Sequence, residues 1–257
     1  MSVVLKDGSA VDDPRFDRLY QLDWRSLDYS VSKRVSAREM QVPRSYSWDC
    51  PLVLDQGSQG SCVGFGFTHD LAAKPVAVGG VSDDLARQIY WASQRADDWP
   101  GGSYENATPF YEGTSVLAGA KILTTMGYYL SYHWALDIRE LAVGIGYTGP
   151  AILGFNWYEG MREADTDDFL HVSGKQSGGH CILANKVKIK KKVLLVSRTW
   201  DNVDMDRSYL VLHNSWSRSW GRDGEAKLSL ADADRLLNEQ GDACFPERNP
   251  KKRMVQP

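Results

Sequence analysis

The sequence predicts an α+β protein of two lobes, helical first and β-rich second. Two observations carry that reading. Helix-forming segments with recognisable caps occupy the stretch from Cys62 to the 140s. After Pro150, short apolar runs separated by turn residues take over. Helices followed by strands, with no βα alternation, are the pattern of an α+β fold. With 257 residues the chain is long enough for one large domain or two packed lobes around a substantial core.

Taken in order, residues 1–41 are polar and weakly periodic, with Asp12, Asp13, Pro14, Arg15, Asp17 and Arg18 preceding Tyr20, Trp24 and Tyr29. They are expected to form an N-terminal extension, either an arm docked on the domain or a flexible tail. The stretch Cys62 to Ala73 reads as a helix despite Gly64 and Gly66, with Pro75 as a stop soon after. Ser82, followed by Asp83 and Asp84, opens a second helix to about Ala96, its acidic first turn suiting the helix dipole. Thr114 or Ser115 caps a third, which Gly127 ends. Asp137 and Glu140 start a short fourth in the manner of a capping box. The runs Ala151 to Phe155, His180 to Val187, Val193 to Ser197, Tyr209 to Asn214 and Glu225 to Leu230 read as strands of a twisted, mostly antiparallel sheet or barrel-like lobe. The domain is expected over 42–240, divided into a helical lobe of about 42–135 and a β lobe of about 136–240, with a C-terminal tail at 241–257.

Composition narrows the function classes. The hydrophobic fraction of 42% and charged fraction of 25% suit a globular chain. A net charge of -3 provides no global attraction for nucleic acid or anionic membrane. No apolar run approaches the ~20 residues that span a bilayer. The four cysteines, Cys50, Cys62, Cys181 and Cys244, are too few for a disulfide scaffold and too irregular for a zinc site, so neither metal nor cofactor is expected. Cys50 and Cys244 can pair only if the fold brings them together. The first residues lack the apolar core of a signal peptide, which points to the cytoplasm or a virus particle. The lysines at 186, 188, 190, 191 and 192 read as a solvated hairpin tip, and Asp201, Asp204 and Asp206 as a polar loop without calcium-loop spacing.

Asp-Gln-Gly-Ser-Gln-Gly-Ser-Cys at 55–62 is the segment richest in chemistry. Gly57 and Gly60 allow a tight turn, and a cysteine follows at the N-terminus of a predicted helix. Unpaired N–H groups and the helix dipole there favour the thiolate. The first N–H of the helix and the side-chain amide of Gln56 supply two donors for a developing oxyanion. A cysteine nucleophile needs a base, and His180 opens an apolar strand, with Gly178 and Gly179 leaving room beside its ring. Asn214 ends another strand and offers an oxygen to hold the imidazole, while Trp216 covers that bond from water. Cys181 alternates to the opposite face of its strand from His180, as a core residue.

These segments resemble the papain family of cysteine peptidases, specifically its bacterial or viral type. Gln56-Gly57-Ser58-Gln59-Gly60-Ser61-Cys62, Gly179-His180 and Asn214-Ser215-Trp216, continuing to Trp220-Gly221, are similar to the family's nucleophile, histidine and asparagine segments and stand in the same order. His180 lies 118 and Asn214 152 residues after Cys62, close to the family's spacing of roughly 130–150. The resemblance runs more weakly from about Val42 to Leu230. It implies a two-lobe fold, a peptide or protein substrate, and hydrolysis through a Cys62–His180–Asn214 triad with Gln56 in the oxyanion hole. Glu112-Gly113-Thr114-Ser115 looks like one wall of the family's groove, so Gly113, with Gly179 and Trp216, is expected to meet an extended peptide. Val63 replaces the usual aromatic residue after the nucleophile, Gln59 a disulfide-forming cysteine, and Ser217 a glycine. The long inhibitory pro-helix of lysosomal relatives has no counterpart, so inhibition by that route is not expected, and whether the 41-residue extension itself inhibits stays open. Two alternatives use the same residues: a catalytically silent binding or structural module, for example in a virus particle, and an amidase or transamidase.

Overall fold

Residues 2–193 and 197–252 are described by a computed structural model of the chain. The first 47 residues hold the hairpin β1 (Val3–Val4) and β2 (Ala10–Val11), then β3 (Arg18–Leu19), two 3-10 turns at Trp24–Tyr29 and Val31–Arg34, helix α1 (Ala37–Gln41) and β4 (Tyr46–Ser47). Helices α2 (Cys62–Ala72) and α3 (Asp83–Ala96) follow, and β5 (Thr114–Ser115) leads into α4 (Val116–Thr125). Next come β6 (Tyr129–Trp134), α5 (Ile138–Tyr147), β7 (Ala151–Tyr158), β8 (Gln176–Lys188), β9 (Tyr209–His213), β10 (Glu225–Ser229), α6 (Leu230–Asn238) and β11 (Asp242–Arg248). Of the expected strand Val193–Ser197, residues 194–196 lie outside the described residues.

The caps do what their chemistry suggests. Ser82 accepts from the Leu85 N–H, Asp137 from the Glu140 N–H, and Ser115, rather than Thr114, from the Ala118 N–H. Each satisfies a donor that the first helical turn leaves unpaired. α5 runs ten residues to Tyr147, longer than expected, through Gly144 and Gly146. A Cβ at Gly144 would collide with the Phe245 ring of β11, so this glycine serves close helix–sheet packing.

The main sheet is antiparallel throughout, in the order β10-β9-β8-β7-β11-β6, with β4 adding to β8. Two of its strands depart from the expected division of the chain. β6 lies in the stretch assigned to the helical lobe. β11 comes from the expected tail and fills the gap between β7 and β6, with Cys244 opposite both Ile152 and Trp134. Pro246 made that strand hard to recognise. Pairing with β7 ends at Cys244, so the proline's missing N–H falls where no neighbour requires it.

Helices cover both faces of the sheet. Ile152, Cys181, Leu183 and Cys244 pack with α2, α3 and α4, while Leu153, Phe155, Ile182 and Ala184 pack with α5 and α6. Every residue of α2 is buried. Gly64 lets the helix press on the Ala86 carbonyl of α3, and a Cβ at Gly66 would stand 2.8 Å from the Cys181 sulfur of β8. All four cysteines are free thiols, so Cys50 and Cys244 do not pair. Among the described residues no helix is long and apolar enough to cross a membrane.

One buried ion pair ties α2 to the last strand. Arg248 reaches Asp70 at 3.0 Å, and the Tyr129 hydroxyl donates to the same carboxylate at 2.9 Å. Arg248→Met is expected to cost about 3–5 kcal/mol, because it strands a buried carboxylate. The double variant Asp70→Leu/Arg248→Met should recover most of that in urea unfolding. A single-variant loss below about 1 kcal/mol would contradict this account.

Candidate active site

Cys62 is the first residue of α2, and the tight packing at Gly66 presses that helix end against β8. The Cys181 N–H donates to the Cys62 sulfur at 3.2 Å. His180, one residue earlier on β8, is held from the far side of the sheet. Its Nε2 meets Asn214 Oδ1 at 2.9 Å, and that oxygen also accepts from the Ser215 N–H at 2.8 Å. Ser215 Oγ donates to Gln56 Oε1 at 2.6 Å, and the Gln56 N–H donates to the Ser215 carbonyl at 2.9 Å. Gln56 Nε2 donates to the Gln59 carbonyl at 2.9 Å, which orients the amide nitrogen toward the turn before Cys62. A continuous polar chain thus links Gln56, Ser215, Asn214 and His180. The rings of Trp157 and Trp216, 4.8 and 4.9 Å from that of His180, wall the imidazole from water.

The N-terminal extension crosses this site as a strap. β3 pairs in parallel with β5, Arg18 opposite Thr114 and Leu19 opposite Ser115, and Asp17 bridges to Gly179. Phe16 and Asp17 are completely buried. The three residues expected to meet an extended peptide all touch the strap. Gly113, at φ +101°, lies against the Asp17 carbonyl. Gly179 lies against the Arg18 carbonyl, and the Arg15 guanidinium sits 4.7 Å above the Trp216 ring. Gly178, at φ +146°, faces the Phe16 carbonyl. The Gly178–Gly179 pair therefore makes room for strap backbone, a demand the sequence did not disclose. Two buried ion pairs anchor the strap: Lys6 with Asp97 at 2.6 Å, and Arg18 with Asp242.

The strap also sets the protonation of the site. Asp17 Oδ1 accepts the Cys62 thiol at 3.0 Å. Burial, reinforced by the nearby Asp17 charge, pushes the thiol well above its ordinary range. This reverses the expectation that the helix N-terminus favours the thiolate; desolvation outweighs the dipole. His180 Nδ1 meets the Arg15 carbonyl at 3.2 Å. Both ring nitrogens thus face acceptors, which only the imidazolium satisfies, whereas burial pulls His180 down to about 4. The neutral ring leaves one acceptor without a proton. Burial lifts Asp17 to about 6 and Glu112, repelled by Asp17, to about 7. Glu112 Oε2 has no hydrogen-bond partner, and a Cβ on Gly60 would strike it. Arg15 and Asp17 escaped sequence reasoning as site residues, because nothing in local spacing ties position 17 to position 62, and the sequence places Glu112 only in the groove wall, with no role for its carboxyl.

On opening, the two carboxyls return toward 3.8 and 4.5 and lose their protons, while His180 returns from about 4 toward 6.5 and gains one, so the closed strap keeps a net excess of about one proton between about pH 4.5 and 6. Closure is therefore most stable below about pH 4 and weakens as pH rises from about 4.5 toward 6, by a net of about 1.4 kcal/mol per pH unit because the His180 shift offsets one of the two carboxyls. Hydrogen exchange corrected for intrinsic rate should show residues 13–19 losing protection from pH 4 to 7. Asp17→Asn should flatten that dependence, and an unchanged slope in this variant would contradict the assignment.

No family model matches the chain. Cathepsin B-like CP2 of Giardia intestinalis is 25% identical over 226 residues, 76% of this chain and 69% of that protein. Cathepsin B-like protease 1 of Arabidopsis thaliana is 27% identical over 92 residues, 36% of this chain and only 21% of that protein. Among solved structures, xylellain, a cysteine protease from Xylella fastidiosa, superposes with a TM-score of 0.63 at 15% identity, covering 94% of this chain and 98% of the other. A procathepsin B from Trypanosoma congolense gives 0.61 at 12% identity over 92% and 88%. Bromelain from Ananas comosus gives 0.53 at 12% over 81% and 100%. Along most of its length the chain is thus distantly similar in sequence to cathepsin B-like cysteine proteases, and it shares the papain-like fold.

Proposed function

We propose that the chain is a cysteine peptidase whose site opens when the strap withdraws. The observation that supports this best is the hydrogen-bonded line from Gln56 through Ser215 and Asn214 to His180, the residue just before Cys181, whose N–H donates to the thiol sulfur at the start of α2. With Asp17 gone, the thiol proton passes to His180 Nδ1, whose partner nitrogen stays on Asn214. The sulfur attacks a peptide carbonyl, and the oxyanion is held by the Cys62 N–H and the Gln56 amide. His180 returns the proton to the leaving amine. Water then attacks the thioester, delivering a proton to His180 and releasing the acid and the thiol. The substrate is a peptide or protein.

A specific observation favours a second reading, that of a binding module. Asp17 on the thiol and the two buried ion pairs at Lys6 and Arg18 hold the strap as part of the fold rather than as a loose cover. Turnover separates the two readings. A mixed fluorogenic peptide pool should be cleaved faster by Asp17→Ala than by the unaltered chain, and Cys62→Ala should lower the rate by about a thousandfold or more. Turnover unaffected by Cys62→Ala would defeat the peptidase reading. A folded Asp17→Ala protein that cleaves nothing would favour the binding module.

A further inference from the structure

Gln56 stands at the end of a stretch without regular structure. Residues 48–54 belong to no helix or strand, so side chains must hold their backbone where a ladder would otherwise do so. Two buried histidines do this from different elements. The Leu52 carbonyl accepts from His213 Nε2 at 2.7 Å, and the Leu54 N–H donates to His69 Nε2 at 3.0 Å. His213 is the last residue of β9 and immediately precedes Asn214. His69 lies on α2, about two turns from Cys62. The segment that delivers Gln56 is thereby fastened both to the strand of the orienting asparagine and to the helix of the thiol. Val53, between the two grips, is seated against Gly224, where a Cβ would stand 2.7 Å from Val53 Cγ1. The Gly224 carbonyl in turn accepts from the Asn214 N–H at 2.9 Å.

The two rings differ in protonation, and each state fits its task. His213 Nε2 faces the Leu52 carbonyl and its Nδ1 faces Glu225 Oε1 at 3.3 Å, so only the imidazolium satisfies both acceptors. Burial opposes that charge, but Cys50, Glu225 and the Leu52 carbonyl outweigh it and raise His213 to about 10. Glu225 is itself held by Lys186 at 2.5 Å and by Asn185 Nδ2 at 3.2 Å. His69 packs against His213, ring centroids 4.6 Å apart and planes at 90°. Burial, reinforced by the His213 charge, drives His69 well below its ordinary range, so this ring is neutral. Its Nε2 accepts from Leu54, which leaves the proton on Nδ1, a buried atom without a hydrogen-bond partner. A buried donor left unpaired is costly, and an apolar side chain kept for packing alone would not carry that cost. The Cys50 thiol closes the cluster by donating to the His69 carbonyl at 3.5 Å.

We propose that His213 and His69 are positioning residues for Gln56, clamping Leu52 and Leu54 so that the Gln56 amide is held at the oxyanion position. The consequence for turnover rests on the peptidase reading; the clamp does not, and the two are read separately. In the full chain with isotope-labelled glutamine, the Gln56 side-chain amide signal is identified in NMR spectra by its loss in Gln56→Ala. It is expected to be sharp and distinct from that of free glutamine in the unaltered chain. In His213→Leu and in His69→Leu it should broaden or move toward the free value. His69→Gln, which returns an acceptor oxygen near the place of Nε2, should restore it. If one leucine variant fails to fold, the other decides. Turnover is then measured in the Asp17→Ala background on one fluorogenic peptide which that variant cleaves. Each clamp variant should lower kcat about tenfold to a hundredfold and change KM less than about twofold. Added to Gln56→Ala, it should cost less than about threefold more, because both changes act on one donor. An unmoved Gln56 amide, or losses that multiply in full with Gln56→Ala, overturns the clamp. A displaced amide, with no turnover by any Asp17→Ala protein, supports the clamp and removes the peptidase reading.

Discussion

The close seating of α2 between α3 and β8 is the constraint from which the site follows. A helix with ordinary side chains at 64 and 66 would stand off from the Ala86 carbonyl and the Cys181 sulfur. The nucleophile candidate would then leave the β8 backbone that donates to it at 3.2 Å. The two glycines weaken the helix locally, by about 1 kcal/mol each relative to alanine. Complete burial of all eleven of its residues offsets that loss. The same wedge carries Asp70 into the core, where Arg248 from the last strand meets it.

Around this contact the fold spends two different kinds of polar interaction. One is a line of neutral hydrogen bonds, Gln56 to Ser215 to Asn214 to His180, whose members are fixed by turns and strand ends far apart in the chain. It orients rings and amides without burying net charge, so it costs little to keep dry. The other is a set of buried ion pairs at the strap, Lys6–Asp97 and Arg18–Asp242. Such pairs hold position strongly once formed but leave costly charges behind when one partner departs. The neutral line suits a permanent site, and the ion pairs fix the strap in one place upon it.

At the strap, opposing demands meet on a few atoms. The thiol proton goes to Asp17, both nitrogens of His180 face acceptors, and Asp17 and Glu112 share a dry space that disfavours their simultaneous ionisation. Phe16, seated 6.1 Å from the His180 ring and 5.7 Å from Trp216, contributes the apolar contact that holds these polar groups closed. Closure is thus an apolar gain set against electrostatic discomfort, and protonation shifts the balance between them.

The sequence by itself determined the local units and their chemistry. Caps at Ser82, Ser115 and Asp137 are short-range effects, and they place three helix starts correctly. The spacing of Gln56, Cys62, His180 and Asn214 made the polar line legible, because each residue sits in a short segment with its own turn or strand-end signal. Only the tertiary structure decided which distant segments fill the remaining space. Residues 242–248 read as a tail, yet they complete the sheet because a gap between β7 and β6 needed a strand. Asp17 and Arg15 carried no periodicity or motif, and their roles arise from a strap meeting a helix end 45 residues away. Hydrogen bonds within a helical turn are written in neighbouring residues. The pairing of a buried carboxyl with a thiol depends on where two independent surfaces close, and that is fixed only when the whole core is packed.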